Sequence, residues 1–146
     1  MIFRLIIDKA ADEEIIAKVH EKSLLTDKIE EMVMKYSGTD RIQAYSEDEV
    51  KLLRFAEVEC ILVDSGKTYA VDIRGEKYRL RQRLYELEGM LPEYFIRINK
   101  SAIANEKRIE RFSAAFTGAV DAVFKCGYRE YVSRRCYAEI KKRYEL

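Results

Sequence analysis

Tryptophan is absent from this chain of 146 residues, proline and histidine occur once each, cysteine three times and glycine six times. So little proline and glycine leaves no flexible or polyproline linker, and no repeat or low-complexity segment breaks the chain. Cys60, Cys126 and Cys136 are odd in number and lack metal-ligand spacing. That argues against a disulfide framework and a zinc site, and fits a reducing cytoplasm. His20 has no nucleophile or carboxylate pattern around it, so no general base is expected. Gly66-Lys67-Thr68 imitates the end of a P-loop, but position 61 is Ile where that motif needs glycine. The segment also leads into a strand, so no helix dipole would hold a phosphate. No enzyme, cofactor, metal or small-molecule substrate is expected. No apolar run reaches membrane-spanning length, and residues 1–8 are too short and wrongly flanked for a secretory signal.

What is present is 48% apolar and 36% charged residues, enough to bury one domain with an extension. The net charge of +1 hides an asymmetry. Residues 97–146 hold twelve Lys/Arg against six Asp/Glu, whereas 1–96 hold fifteen against twenty. A positive C-terminal half can be steered to a polyanion, although charge alone is equally consistent with a lopsided solvated surface.

Hydrophobic periodicity predicts short strands with few helices. Residues 2–7 read as a strand; 15–20 fit a strand or a helix, with a strand pairing 2–7 preferred. Asp27 and Glu30 form a capping box before Ile29, Met32, Val33 and Tyr36, so a helix is expected over 27–36, stopped at Gly38. A β-β-α extension over 1–40, with a possible role in dimerisation, thus precedes a second region, 41–146. There, 42–45 and 50–54 flank a polar turn in a hairpin pattern, and 60–63 and 69–73 flank a glycine turn. Strand 78–80 precedes a short helix with Leu84, Leu87 and Leu91 that Pro92 ends. Strands follow at 95–98, 109–113, 119–124 and 128–132, with a helical tail over 134–146. The fold class is mainly β, α+β overall. This order excludes a helix-turn-helix and lacks the β/α alternation of a doubly wound enzyme. Ten tyrosines and six phenylalanines at strand spacing read as core and cross-strand packing rather than base-stacking platforms.

Two segments carry the functional signal. In Tyr94-Phe95-Ile96-Arg97-Ile98-Asn99-Lys100-Ser101, alternation along a strand delivers Arg97, Asn99 and Lys100 to an edge or loop. In Tyr131-Val132-Ser133-Arg134-Arg135, a strand runs into a hydroxyl and two guanidinium groups. Forked donors at strand ends suit phosphates and guanine edges. Ser101 and Asn105 are expected to fix turns.

Both segments resemble the LytTR family of bacterial DNA-binding domains, with its pattern Phe-x-Arg-x-Asn/His-x-Ser followed by Tyr-x-Val-Ser-Arg. The likeness covers roughly residues 41–144. It implies an elongated antiparallel β domain that places loops in successive major grooves of double-stranded DNA, and hence transcriptional regulation. Positions matching the family's contacts are Lys67, Thr68 and Tyr69 in the first loop, Asn99 and Lys100 in the second, and Ser133, Arg134 and Arg135 in the third. Arg97 and Lys142 are secondary candidates, and Arg97 is equally suited to an internal ion pair. Lys100 is placed to meet a guanine edge or a phosphate. Val63 stands where many members carry an acid, and Lys67, Thr68 and Tyr69 where many carry His or Asn, so the first loop's base preference stays open. The resemblance implies a homodimer on paired repeats and a membrane-protein regulatory partner. About forty residues before the DNA-binding region are too few for a receiver domain. A protein-interaction module on the same fold and single-stranded RNA binding are the alternatives.

Overall fold

The computed structural model describes residues 1–144. After α1 (Leu24–Ser37) come β1 (Arg41–Tyr45), β2 (Val50–Arg54), β3 (Val58–Asp64), β4 (Lys67–Asp72), β5 (Lys77–Leu80), α2 (Leu84–Glu88), β6 (Phe95–Asn99) and β7 (Ala102–Asn105). Then follow β8 (Ile109–Ala114), β9 (Val120–Phe124), β10 (Arg129–Val132) and α3 (Arg134–Tyr144). Every pairing is antiparallel. The strands form a seven-stranded sheet, ordered β2-β1-β5-β4-β3-β7-β6, and a three-stranded sheet, β10-β9-β8.

The period-two rule explains two cores on one sheet. In β3, Ile61 points to one face and Cys60 and Leu62 to the other. On the first face Ile61, Ala70, Leu80 and Ile103 pack with Phe55 and with Leu84 and Leu87 of α2. On the second, Cys60, Leu62, Val71, Ile96 and Ile98 meet Val120, Phe124 and Val132 of the small sheet and Ile140 of α3. Burial pushes the Cys60 thiol well above its ordinary pKa, so it behaves as a small apolar side chain. Between the sheets lies a charge the hydrophobic pattern does not announce. Glu59 is fully buried and accepts from Arg108 Nε at 2.6 Å and from the Cys126 amide at 2.9 Å.

The mainly β, α+β expectation holds, and the hairpins over 42–54 and 60–73 form where alternation places them. The β3–β4 connection is the two-residue turn Ser65-Gly66, with φ of 52° and 75°. Positive φ at both positions matches the twist of the flanking strands. β7 was not foreseen as a separate strand. The tail helix is present as α3, and positions 145 and 146 lie outside the described residues.

The N-terminal extension requires correction. The helix starts earlier than expected, because Ser23 and Thr26, not Asp27 and Glu30, form the capping box. Gly38 ends it in the left-handed conformation, φ 70°. Residues 1–22 form neither of the two expected strands. They are exposed and unpaired, because a lone two-stranded ribbon with no third strand or helix to cover it has too little burial to hold its ladder.

Candidate nucleic-acid interface

The hairpin registers decide where the cations stand. Asp64 pairs with Lys67 across the β3–β4 turn, and Leu62 pairs with Ala102 at the start of β7. The Val63 amide donates to Ser101 O at 2.8 Å, so the Lys100-Ser101 turn abuts the first hairpin tip. The Ser133 amide donates to Ile98 O at 2.8 Å, which brings the β10–α3 junction to the same end of β6. Lys67, Lys100, Arg134 and Arg135 therefore share one end of the molecule, and all four are exposed. Among the described residues, Lys67, Lys100 and Arg134 have no carboxylate within ion-pair distance. Arg135 has only the weak surface pair with Glu139 at 3.9 Å.

One buried side chain ties the second turn to the end of β10. Asn99 Nδ2 donates to Tyr131 O at 2.6 Å, while its Oδ1 accepts the Ser101 amide at 2.7 Å. Glu130 flanks the amide at 3.4 Å and accepts the Tyr128 hydroxyl at 2.6 Å. Partial burial first, and that bond second, push the Tyr128 phenol well above its ordinary pKa. Asn99 thus spends its donor and acceptor within the fold and is only 7% exposed. Its side chain is held between the Tyr131 carbonyl and the Ser101 amide rather than projecting from the loop. The cause is an irregular register between Arg97 and Asn99, which breaks alternation so that Ile98 and Asn99 are both buried.

Thr68 also faces inward. It lies on the Ala70 face of β4, paired with Val63 and Leu80, and is buried. Tyr69 is half-buried against the second core. Ser133 caps α3, its Oγ accepting the Cys136 amide at 3.2 Å. Arg97 pairs with Glu88 at 2.8 Å and donates to Lys100 O at 3.0 Å, so it braces the second tip. Lys142 stands roughly 12 Å along α3 from Arg134, away from the tips. Asn105 takes the turn-fixing role expected of it: its Nδ2 donates to Val58 O and its Oδ1 accepts the Lys107 amide, both at 3.0 Å. The turn at Ser101 is instead fixed by the Asn99 side chain, which accepts the Ser101 amide.

Two residues at this end escaped the sequence reading. Arg81 follows β5 immediately, one step past the Leu80–Thr68 pair, and stacks over the Tyr45 ring at 4.5 Å. Phe116, fully exposed, crowns the β8–β9 turn, which the Val120–Val132 pairing brings to the start of α3. A strand-end arginine was the available signal for Arg81; nothing in the pattern distinguished Phe116.

Chemically, this end is an anion-binding surface. The first turn of α3 carries Arg134 and Arg135 and no acid, an unfavourable placement against the helix dipole unless an anion sits there. The guanidinium groups supply planar forks for phosphate or guanine, and the two lysines supply point charges.

Comparison with known proteins agrees with the geometry. The model of the LytTr DNA-binding domain family matches residues 48–145. An uncharacterised HTH-type transcriptional regulator of Staphylococcus aureus (strain bovine RF122 / ET3-1) is 30% identical over 125 residues, 84% of each chain. Its counterpart in strain NCTC 8325 / PS 47 is 29% identical over the same length and shares. A solved LytTr DNA-binding domain, from a putative methyl-accepting/DNA response regulator of Bacillus cereus, superposes with a TM-score of 0.66 at 21% identity. That match covers 73% of this chain and 98% of the other. Among the described residues there is no helix-turn-helix, since five strands separate α2 from α3.

Proposed function

The chain belongs to the LytTr DNA-binding domain family, and from that premise we propose that it is a transcriptional regulator reading the major groove of double-stranded DNA with hairpin tips. The observation that carries the reading is that the Asn99 joint and the Val63–Ser101 and Ser133–Ile98 backbone bonds bring Lys67, Lys100 and Arg135 to one end. Lys67 and Lys100 supply charge; Arg135, leaving a strand end into a helix start, is the base-reading candidate. The relatives' designation as transcriptional regulators supports the regulatory role. The reading includes a cytoplasmic homodimer on paired repeats, in which two modest contacts combine. Among the described residues no helix is long and apolar enough to cross a membrane, and the reading includes control by a membrane-protein partner.

Titration with duplex DNA at two salt concentrations tests this. Log K is expected to fall with log salt at a slope of about −0.9 per neutralised phosphate. Arg135→Ala should weaken the selected site by about 1–3 kcal/mol while sparing random duplex. Equal losses on both would make Arg135 a phosphate contact. Tighter binding to single-stranded RNA than to any duplex would overturn the proposal.

A further inference from the structure

Residues 1–22 form a second unspent surface, rooted at the end of β7 away from the Lys100 tip. Residues 1–8 and 12–19 lie outside any helix or strand, on either side of a turn at 9–11. There the Ala11 amide donates to Asp8 O at 3.3 Å, and no other backbone hydrogen bond involves residues 1–22 among those described. Two β-prone runs therefore offer unpaired N–H and C=O groups, which are a template for strand pairing. Their apolar side chains find no cover: Phe3 is 88% exposed, Ile6 83%, Ile7 85%, and Ile15 and Ile16 69% each. Together with their neighbours these residues present on the order of 1,000 Å² per chain, against roughly 800 Å² per partner in a standard-size interface.

The root of this arm is fixed. Lys22 pairs with Glu106 at 3.6 Å, while Lys107 reaches Asp27 at 3.7 Å and Glu31 at 3.4 Å across the start of α1. Those contacts sit where β7 ends, one strand length from the Lys100 tip.

We propose that residues 2–20 pair with the same segment of a second copy of this chain, forming an intermolecular antiparallel sheet about a two-fold axis. The inference rests on the two-copy reading above and names the surface that makes it. Charge selects the occupant. Residues 1–22 carry four Lys/Arg against five Asp/Glu, which suits neither nucleic acid nor an anionic membrane. Both signs occur along one segment, with Lys9 and Lys18 flanking the acids at 12–14, and a patch that meets itself across a two-fold axis closes at two copies. Glu106 extends the consequence. It also accepts from Tyr144 at 2.6 Å and pairs with Arg143 at 3.6 Å. Partial burial first, and the bond to Glu106 second, push the Tyr144 phenol up to about 12, so it stays a donor at neutral pH. The arm root and the end of α3 thus share one carboxylate, and α3 leads straight to Arg135. Arm pairing would hold two DNA-reading ends at a set separation.

Sedimentation equilibrium of the full chain and of a Phe3→Asp/Ile6→Asp variant tests the inference, with DNA binding measured alongside. Both side chains are exposed, so the variant's fold, checked by circular dichroism, is expected to be unchanged. The wild type should sediment at twice the 17.2 kDa chain mass and the variant at once that mass. The variant should also lose its preference for paired over single repeats by at least tenfold, while binding one repeat normally. A wild type monomeric at tens of micromolar, or a variant still dimeric, overturns the arm and leaves DNA reading intact. A monomeric wild type that cosediments with phosphatidylglycerol vesicles, when the variant does not, assigns the surface to membrane and overturns the proposal. A dimer that the variant dissolves but that binds no duplex would sustain the arm and remove the DNA reading.

Discussion

Arg108→Ala is expected to destabilise the fold by about 3–5 kcal/mol, a large share of the roughly 5–15 kcal/mol that holds a domain of this size together. Glu59 has no access to water, and its carboxylate is satisfied only by Arg108, at 2.6 and 3.3 Å, and by the Cys126 amide. These contacts join β3 in the large sheet to residues bordering β8 and β9 in the small one. The Glu59 bond raises the guanidinium's already high pKa further, so the cation does not titrate in any accessible range. Truncating Arg108 strands a buried charge, and the penalty comes mainly from the partner left behind. Urea denaturation should show the midpoint falling sharply. Replacing both partners, as Glu59→Met with Arg108→Leu, should recover much of the loss, since well-packed apolar pairs often replace buried ion pairs at little cost. A single-variant loss under 1 kcal/mol would mean that water reaches Glu59.

Asn99→Ala should couple a stability loss of about 2–3 kcal/mol to a larger loss of DNA binding than Lys100→Ala causes. The Tyr131 carbonyl and the Ser101 amide would both lose their partner. The second tip and the β10–α3 junction would then move independently, and the cost of ordering them would fall on the complex. Lys100→Ala removes one charge from an intact surface and should leave the denaturation midpoint within about 0.5 kcal/mol. Folded Asn99→Ala protein that binds duplex as well as Lys100→Ala would remove the joint from the account.

Much of the architecture was legible because it rests on alternation over short distances. The 42–45/50–54 hairpin and the glycine turn at 65–66 needed only neighbouring residues. The errors share a different cause, in that each depends on something local pattern does not encode. Asn99 and Arg97 should share a face, but one irregular step in register turns Asn99 inward. Thr68 looked like part of an exposed loop until Leu80 of another strand closed over it. Glu59 reads as a surface acid, and its partners lie 49 and 67 positions away in sequence. Residues 2–7 and 15–20 carry real strand composition, yet pairing requires a covering layer that this chain alone does not supply. Which side chains project from the hairpin tips and which are held inside the fold emerged only from the hydrogen bonds.

The separation of Asn99 from Lys67, Lys100 and Arg135 bears on how such regulators diversify. Lys67 and Lys100 stand at hairpin tips and Arg135 at a helix start, outside either hydrophobic cluster, so their replacement is expected to leave folding almost untouched. A duplicated copy can therefore drift to a new operator by exchanging tip residues alone, with the inward amide held constant. Engineered variants with altered recognition should be sought at those few exposed sites.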